Sequence, residues 1–148
     1  MYRYLTAKLG SASDAEDVLQ EAFCRLVRYR TRLRFVRKAR VFVFRVARNE
    51  ANRFLRAKIQ SDNVVQSAMR FTDSFRSAYA GPDEPTERLV AGALAQLPEG
   101  QREAVVLKIF EGLTFREIAA VCYESIPTVA SRYRYGLDKL RGFLEGKL

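Results

Sequence analysis

From Arg40 to Arg56 the chain reads RVFVFRVARNEANRFLR, and a helix is the backbone that sorts this stretch into two faces. At about 100° per residue, Val43, Phe44, Ala47, Ala51, Phe54 and Leu55 gather on one side. Arg45, Arg48, Asn49, Asn52, Arg53 and Arg56 gather on the other, with Phe42 standing among them. The first set predicts an ordinary core stripe. The second carries no acid to balance its arginines, amides able to pair with base edges, and a ring where a helix surface prefers polar groups. Arginines for phosphate, amides for bases and a ring for stacking are what binding to an opened nucleic-acid strand requires. The plainer alternative is a basic solvent face with one stray phenylalanine.

Charge agrees with the first alternative. The chain has 148 residues and a formal net charge of +9, which favours a polyanionic partner, nucleic acid first and an anionic membrane surface second. Hydrophobic residues make up 48 %, enough for a packed core in one domain or two small ones. No apolar run is long enough to span a bilayer, and MYRYLTAKLG lacks the apolar core of a signal peptide, so a cytoplasmic protein without membrane insertion is expected. Histidine is absent, and Cys24 and Cys122 lie far apart. The usual zinc fingers and any catalytic pair with a histidine base are therefore excluded, and no metal or other cofactor is expected. Each cysteine reads as a small, half-buried hydrophobe, with a redox-sensing Cys24 as the alternative.

Along the chain, Tyr2 to Leu9 predicts a short helix ended by Gly10. Ser13 and Glu16 form a capping-box pattern that starts a helix running to about Tyr29. Ala15, Val18, Leu19, Ala22, Phe23 and Leu26 make its core stripe. Its outer face carries Asp14, Asp17, Gln20 and Glu21, a dense acidic patch in a basic half-chain. Such acids either complement the helix dipole or dock a basic protein surface, and spacing does not choose between the two. Thr31 to Lys38 is basic, has no clean period and reads as a loop before the long helix.

From 59 to 85 the pattern weakens. Polar residues dominate, Gly81, Pro82 and Pro85 close the segment, and Val64, Val65, Met69 and Phe71 support at most a weak helix. The segment reads as a flexible linker that orders only against something else. Helical signals then return at Thr86 to Leu97, stopped by Pro98, and at Gln101 to Phe110, ended by Gly112. Thr114 and Glu117 form a second capping box opening a short helix with Phe115, Ile118, Ala119 and Cys122 on one face. A tight turn at Tyr123 to Ser125 leads to a last helix beginning near Ile126 or Pro127. Val129, Tyr133, Leu137, Leu140 and Leu144 form its buried stripe, and Thr128, Ser131, Arg132, Tyr135 and Lys139 its outer side. Short helix, tight turn and longer helix with a basic outer face make a helix-turn-helix, whose second helix enters a major groove N-terminal residues first. Arg132 reaches guanine or phosphate there, and Thr128 and Ser131 reach base edges or phosphate. A plain α-hairpin is the alternative. The expected fold class is all-α: two small helical domains, 1–58 and 86–148, joined by a linker at 59–85.

Two blocks resemble one family. EDVLQEAFCRLVRYR followed by ARVFVFRVARNEANRFLR resembles region two of bacterial sigma factors. LPEGQREAVVLKIFEGLTFREIAAV followed by TVASRYRYGLDKLR resembles their winged-helix-like region four. With nothing matching region one or region three, the chain resembles the minimal, extracytoplasmic-function kind, over about residues 2–57 and 87–145. It begins inside the family's first helix, which implies either a trimmed clamp-binding domain or a misassigned start codon. The resemblance implies a promoter-specificity subunit of RNA polymerase with no catalytic site. It implies that Asp14, Asp17, Gln20 and Glu21 dock on the β′ clamp, which decides the acidic face in favour of docking. It implies that Leu33, Phe35, Arg40, Phe42, Arg45, Arg48, Asn49, Asn52 and Arg53 meet the −10 element, the loop near Leu33 to Arg40 holding a flipped base. It further implies that Arg102, Thr128, Ser131, Arg132, Tyr135 and Lys139 meet the −35 element. Core RNA polymerase (β′ clamp and β flap) and promoter DNA are the implied partners, and many family members are also held by an anti-sigma factor.

Two departures lie in the turn. Tyr123 and Glu124 stand where the family usually has Gly and an apolar residue, and a tyrosine at positive φ costs about 1 kcal/mol or more relative to glycine. Pro127 stands where the family commonly has Gly or Asn, and removes one N–H from a helix start able to hold a phosphate. A stand-alone helix-turn-helix regulator would use the second block alone and leave the acidic patch and the Phe-bearing basic helix without a purpose. An enzyme acting on nucleic acid would need paired carboxylates or a nucleophile with its base, and the acids here sit at caps or on one face.

Overall fold

Gly10 sets the geometry of the first helix pair. The computed structural model describes residues 1–58, 64–79 and 85–147, with the backbone alone over 64–68. In it α1 (Tyr2–Leu9) ends as expected at Gly10, whose φ of 69° lets its N–H return to the Thr6 carbonyl. The chain leaves that turn extended at Ser11, the conformation a cap residue needs, and the Ser11 hydroxyl accepts from the Asp14 N–H. The cap of α2 (Ala12–Arg28) is therefore Ser11, not Ser13. The α2 stripe buries Ala15, Val18, Ala22 and Leu26. Phe23, expected among them, is 53 % exposed, because it lies about 100° round the helix from Ala22.

Where a loop was expected, a single helical turn, α3 (Arg30–Leu33), precedes irregular chain up to α4 (Ala39–Lys58). The α4 helix buries Val41, Phe44, Ala47 and Ala51 towards the main core. It buries Val46 on another side, with Ala22 and Leu26 of α2.

The expected linker contains a helix. α5 (Val64–Tyr79) carries Phe71, Phe75 and Tyr79 at spacings of four, so three rings share one face. Phe71 and Phe75 are buried, and Phe75 meets Phe110 edge to face at 5.0 Å. This helix packs on α1 and on α6 (Pro85–Ala95), and so orders against both halves of the chain. Gly81 and Pro82, read as closing the linker, lie outside the described residues.

The second block follows its sequence pattern closely. α7 (Glu99–Val105) runs into a π-helical turn at Val106–Phe110, and Gly112 (φ 69°) turns the chain. α8 (Phe115–Cys122) opens on a complete Thr114–Glu117 capping box. α9 (Ile126–Leu144) packs back on α7, α6 and α8.

The described residues are helical throughout their regular structure, so the fold is all-α. One contiguous core runs through both blocks, from Tyr4, Leu5 and Phe44 to Leu94, Leu107, Ile118 and Val129.

Gly136 allows a close approach of α9 to α7. A Cβ there would stand 2.9 Å from Val105 Cγ2 and 3.4 Å from the Gln101 carbonyl oxygen. Gly136→Ala is expected to force α9 off α7 and to cost about 1–3 kcal/mol in a urea titration. Gly142→Ala, with no neighbour near the added carbon, serves as the control on the same helix and is expected to leave stability level or raised.

Candidate nucleic-acid interface

The helix-turn-helix is held by its caps. Thr114 Oγ1 accepts from the Glu117 N–H while the Glu117 carboxylate accepts from the Thr114 N–H. Tyr123 adopts φ 55°, ψ 41°, the left-handed conformation its place in the turn demands, and its N–H reaches the Ala119 carbonyl. It is the one non-glycine at positive φ among the described residues. Ser125 caps α9 through the Thr128 N–H and lies 2.7 Å from the Thr128 hydroxyl. Pro127 sits in the first turn, as expected. On the outer side Tyr135 and Lys139 are exposed, and Thr128, Ser131 and Arg132 are half-buried. Arg132 is paired with Glu124 at 2.9 Å, so the unusual Glu124 holds the guanidinium across the turn. Arg102 is not part of this face. Its guanidinium covers the Phe71 ring at 4.5 Å, in an environment whose burial lowers its pKa.

On α2, Asp17, Gln20 and Glu21 are exposed together. Asp14 departs from them: it is half-buried and paired with Lys58 of α4 at 2.7 Å. Phe23, Cys24 and Val27 complete the same exposed side. Phe23 and Val27 follow Gln20 at helical spacing, the signal by which they were open to detection. Cys24 is thus exposed rather than half-buried. Cys122 is half-buried, and burial, followed by the nearby Glu103 charge, pushes its thiol up to about 11. It stays protonated at neutral pH.

The basic face of α4 is not the acid-free surface the sequence suggested. Glu50 is buried within it, paired with Arg25 of α2 and 3.8 Å from Arg53. Phe42 is half-buried, since α2 packs against that side, and its ring meets Tyr29 edge to face at 6.3 Å. Asn52 is half-buried and Arg53 exposed. Phe35 stands 87 % exposed in the irregular chain before α4, with Leu33 half-buried nearby in sequence.

The remaining residues of this face meet the second block. Arg45 donates from Nε and Nη2 to the Ala120 carbonyl at 2.9 and 2.7 Å, and its guanidinium lies 4.9 Å from the centre of the Tyr123 ring. Asn49 donates to the Tyr123 hydroxyl at 3.3 Å, and Arg40 donates to the Glu111 carbonyl. Arg48 donates to both carboxylate oxygens of Glu103 at 2.9 and 3.2 Å.

Glu103 is the residue that sequence reasoning missed. Buried on α7, it also accepts from the Tyr4 hydroxyl at 2.5 Å and from Lys8 at 3.3 Å. Burial by itself would raise its carboxyl, but the Lys8 charge and the Arg48 and Tyr4 bonds overcome this and bring it down to about 2. Tyr4 moves the other way, its hydroxyl held protonated by burial and by the adjacent carboxylate.

This geometry accompanies clear relationships. The sigma-70 region 2 family matches residues 1–59 and the sigma-70 region 4 family residues 87–140. RNA polymerase sigma factor CarQ of Myxococcus xanthus is 31 % identical over 95 % of this chain and 80 % of its own length. ECF RNA polymerase sigma factor SigL of Mycobacterium tuberculosis is 32 % identical over the same shares. Among solved structures, the sigma factor RpoE in complex with the anti-sigma factor NepR from Bartonella quintana has the same fold. Its TM-score is 0.73 at 20 % identity, covering 99 % of this chain and 91 % of that one. The chain belongs to the sigma-70 family of RNA polymerase sigma factors, in its extracytoplasmic-function subfamily. It therefore serves transcription initiation as a promoter-specificity subunit, and the stand-alone regulator is set aside because the region 2 match accounts for the first block.

Glu103 makes stability depend on acid pH. Its carboxyl falls from an ordinary 4.5 to about 2 on folding, so its contribution is complete above about pH 4.5 and is lost as pH falls towards 2. The full contribution is on the order of 3 kcal/mol. Urea titrations of the wild type and Glu103→Gln are expected to differ most near neutral pH and to converge towards pH 2. A gap that stays constant across that range contradicts the pairing.

Proposed function

We propose that this sigma factor engages its partners through three surfaces. The exposed Asp17 and Glu21 of α2, with the amide of Gln20 between them, dock on the β′ clamp of core polymerase, with Asp14 supporting them through Lys58 rather than touching the partner. The α4 face, with Asn49, Asn52 and Arg53, and the chain at Leu33, Phe35 and Arg40 bind the −10 element after its strands part. Phe35, not Phe42, is the ring free to stack on an unpaired base. Arg40, Arg45, Arg48 and Asn49 each hold an oxygen of the second block and turn to the strand when that block withdraws. The outer face of α9, with Thr128, Ser131, Arg132, Tyr135 and Lys139, reads the −35 element, while its block meets the β flap. Arg102 acts as packing against Phe71. The protein works in the cytoplasm, carries no catalytic centre and needs no cofactor. Among the described residues no helix is long and apolar enough to cross a membrane. RpoE of Bartonella quintana is held in a complex with an anti-sigma factor, and a protein of that kind is a further partner here.

The observation that carries this reading is the side-chain chemistry of α4 beside a complete helix-turn-helix in one chain. Arginines supply sequence-independent attraction to phosphate, strongly weakened by salt. Amides and rings supply discrimination, since a ring stacks only on a base that has left the duplex, at about 1–3 kcal/mol per base.

Two measurements test it, both on the full chain because the blocks share a core. Asp17→Arg with Glu21→Arg is expected to abolish comigration with core polymerase while leaving the circular-dichroism spectrum unchanged, since both side chains are exposed. Wild-type comigration would remove the assignment of that face. In the assembled holoenzyme, Asn49→Ala is expected to relax preference at one promoter position by roughly 1–3 kcal/mol. Arg53→Ala should instead weaken all sequences alike and flatten the salt slope by about one phosphate contact. Equal weakening of every sequence by Asn49→Ala would reduce α4 to a basic face.

A further inference from the structure

Four residues expected to meet the −10 element touch the second block instead, and one of their partners is unusual. Arg40, Arg45 and Arg48 each donate to an oxygen of that block, and Asn49 donates to Tyr123. The Ala120 carbonyl that Arg45 grips lies in the last turn of α8, where backbone acceptors lack helical partners. A guanidinium at a helix C-terminus also meets the negative end of the dipole. Arg45 thus completes the end of α8, and Tyr123, which terminates that helix, lays its ring beside the same guanidinium.

We propose that Tyr123 is a latch that holds the helix-turn-helix block closed over the nucleic-acid face of α4. Its left-handed conformation is fixed within the motif itself, where its N–H bonds the Ala119 carbonyl. The strain therefore does not drive opening or closing. The side chain that makes the position costly is the one that crosses to α4, where it takes both Arg45 and Asn49. Tyr123 is 64 % exposed, so the latch sits on the rim of the interface, whereas the Glu103 pairing lies inside it. A rim contact gives way without first exposing a buried charge. That the latch governs strand binding rests on the reading of α4 given above; the latch itself does not.

The experiment follows closure and strand binding separately in the full chain. A donor dye on exposed Cys24 and an acceptor on a cysteine introduced by Lys147→Cys, with Cys122→Ala, report the distance between blocks. Salt weakens the charged contacts and supplies the titration. Tyr123→Gly, which keeps the turn and removes the ring, is expected to raise the open-to-closed ratio about two- to five-fold through loss of the contact with Arg45. Tyr123→Phe, which keeps the ring and loses the hydroxyl, is expected to stay nearer the wild type. An unchanged ratio in Tyr123→Gly, including transfer that stays high in both proteins at every salt concentration, overturns the latch. Opening by Tyr123→Phe as large as by Tyr123→Gly overturns the ring's part in it. Binding of a labelled twelve-nucleotide single strand of mixed sequence is then compared. Tightening in step with opening supports the latch as a control on strand binding. Opening without tightening keeps the latch and overturns the α4 reading.

Discussion

A carboxylate buried on α7 sets how the two halves of this molecule meet. Glu103 takes bonds from Tyr4 and Lys8 on α1 and from Arg48 on α4, so three side chains from two helices converge on its two oxygens. A buried charge without partners is costly, and breaking such a cluster by removing one member leaves the others unpaired. The cations come from the first block and the acid from the second. The burial of Glu103 therefore requires the blocks to be together in one relative position. The apolar surface around it is non-directional and would tolerate other arrangements. The bidentate Arg48–Glu103 geometry does not. On the other flank of the interface α5 adds a ring cluster, with Phe75 and Tyr79 against Phe110 and Arg3 over Tyr79.

Much of this fold was legible in the sequence because helix faces and helix ends are local facts. Gly10, Gly112 and the Thr114–Glu117 box act within a few residues and stand where pattern reading puts them. The left-handed Tyr123 was legible too, from the glycine that the resembled family usually has at that turn. What failed depends on the neighbour. Phe42 lies on the polar side of α4 by periodicity, yet α2 covers it. Phe71 and Phe75 belong to a segment of polar composition, and neighbours distant in sequence on α1, α6, α7 and the π-helical turn give their rings somewhere to go. Glu50 and Glu103 read in sequence like any surface acids. The cap of α2 moved from Ser13 to Ser11 because the Gly10 turn hands the chain an extended residue two positions earlier.

The candidate site shows the same division. The residue types on α4 read in sequence as arginines for phosphate, amides for base edges and a ring for stacking, and in the free chain its arginines hold other anionic and carbonyl oxygens. Arg48 holds a carboxylate, Arg45 a helix C-terminal carbonyl and Arg40 the Glu111 carbonyl. A guanidinium selects partners by planar geometry and charge, and a phosphate offers the same oxygens. Periodicity identifies the chemistry of such a face but not which of two competing oxygen sources fills it.

On the proposed function, this competition has a consequence for affinity. Every contact the second block makes with α4 must be given up before a −10 strand takes its place. The strand affinity of the free protein is then the intrinsic affinity reduced by the fraction of molecules that are open. The outer face of α9 carries less of this penalty, since Tyr135 and Lys139 are already exposed and Arg132 is paired with Glu124 of its own motif. The two surfaces are thus unequal in the free chain: the second block engages Arg45 and Arg48 of the first, while Tyr135 and Lys139 of the second are exposed. Docking on polymerase that separates the blocks raises the first affinity and leaves the second nearly unchanged. A closed sigma factor is in this way discouraged from trapping single strands by itself, and its melting chemistry becomes available only on the enzyme that needs it.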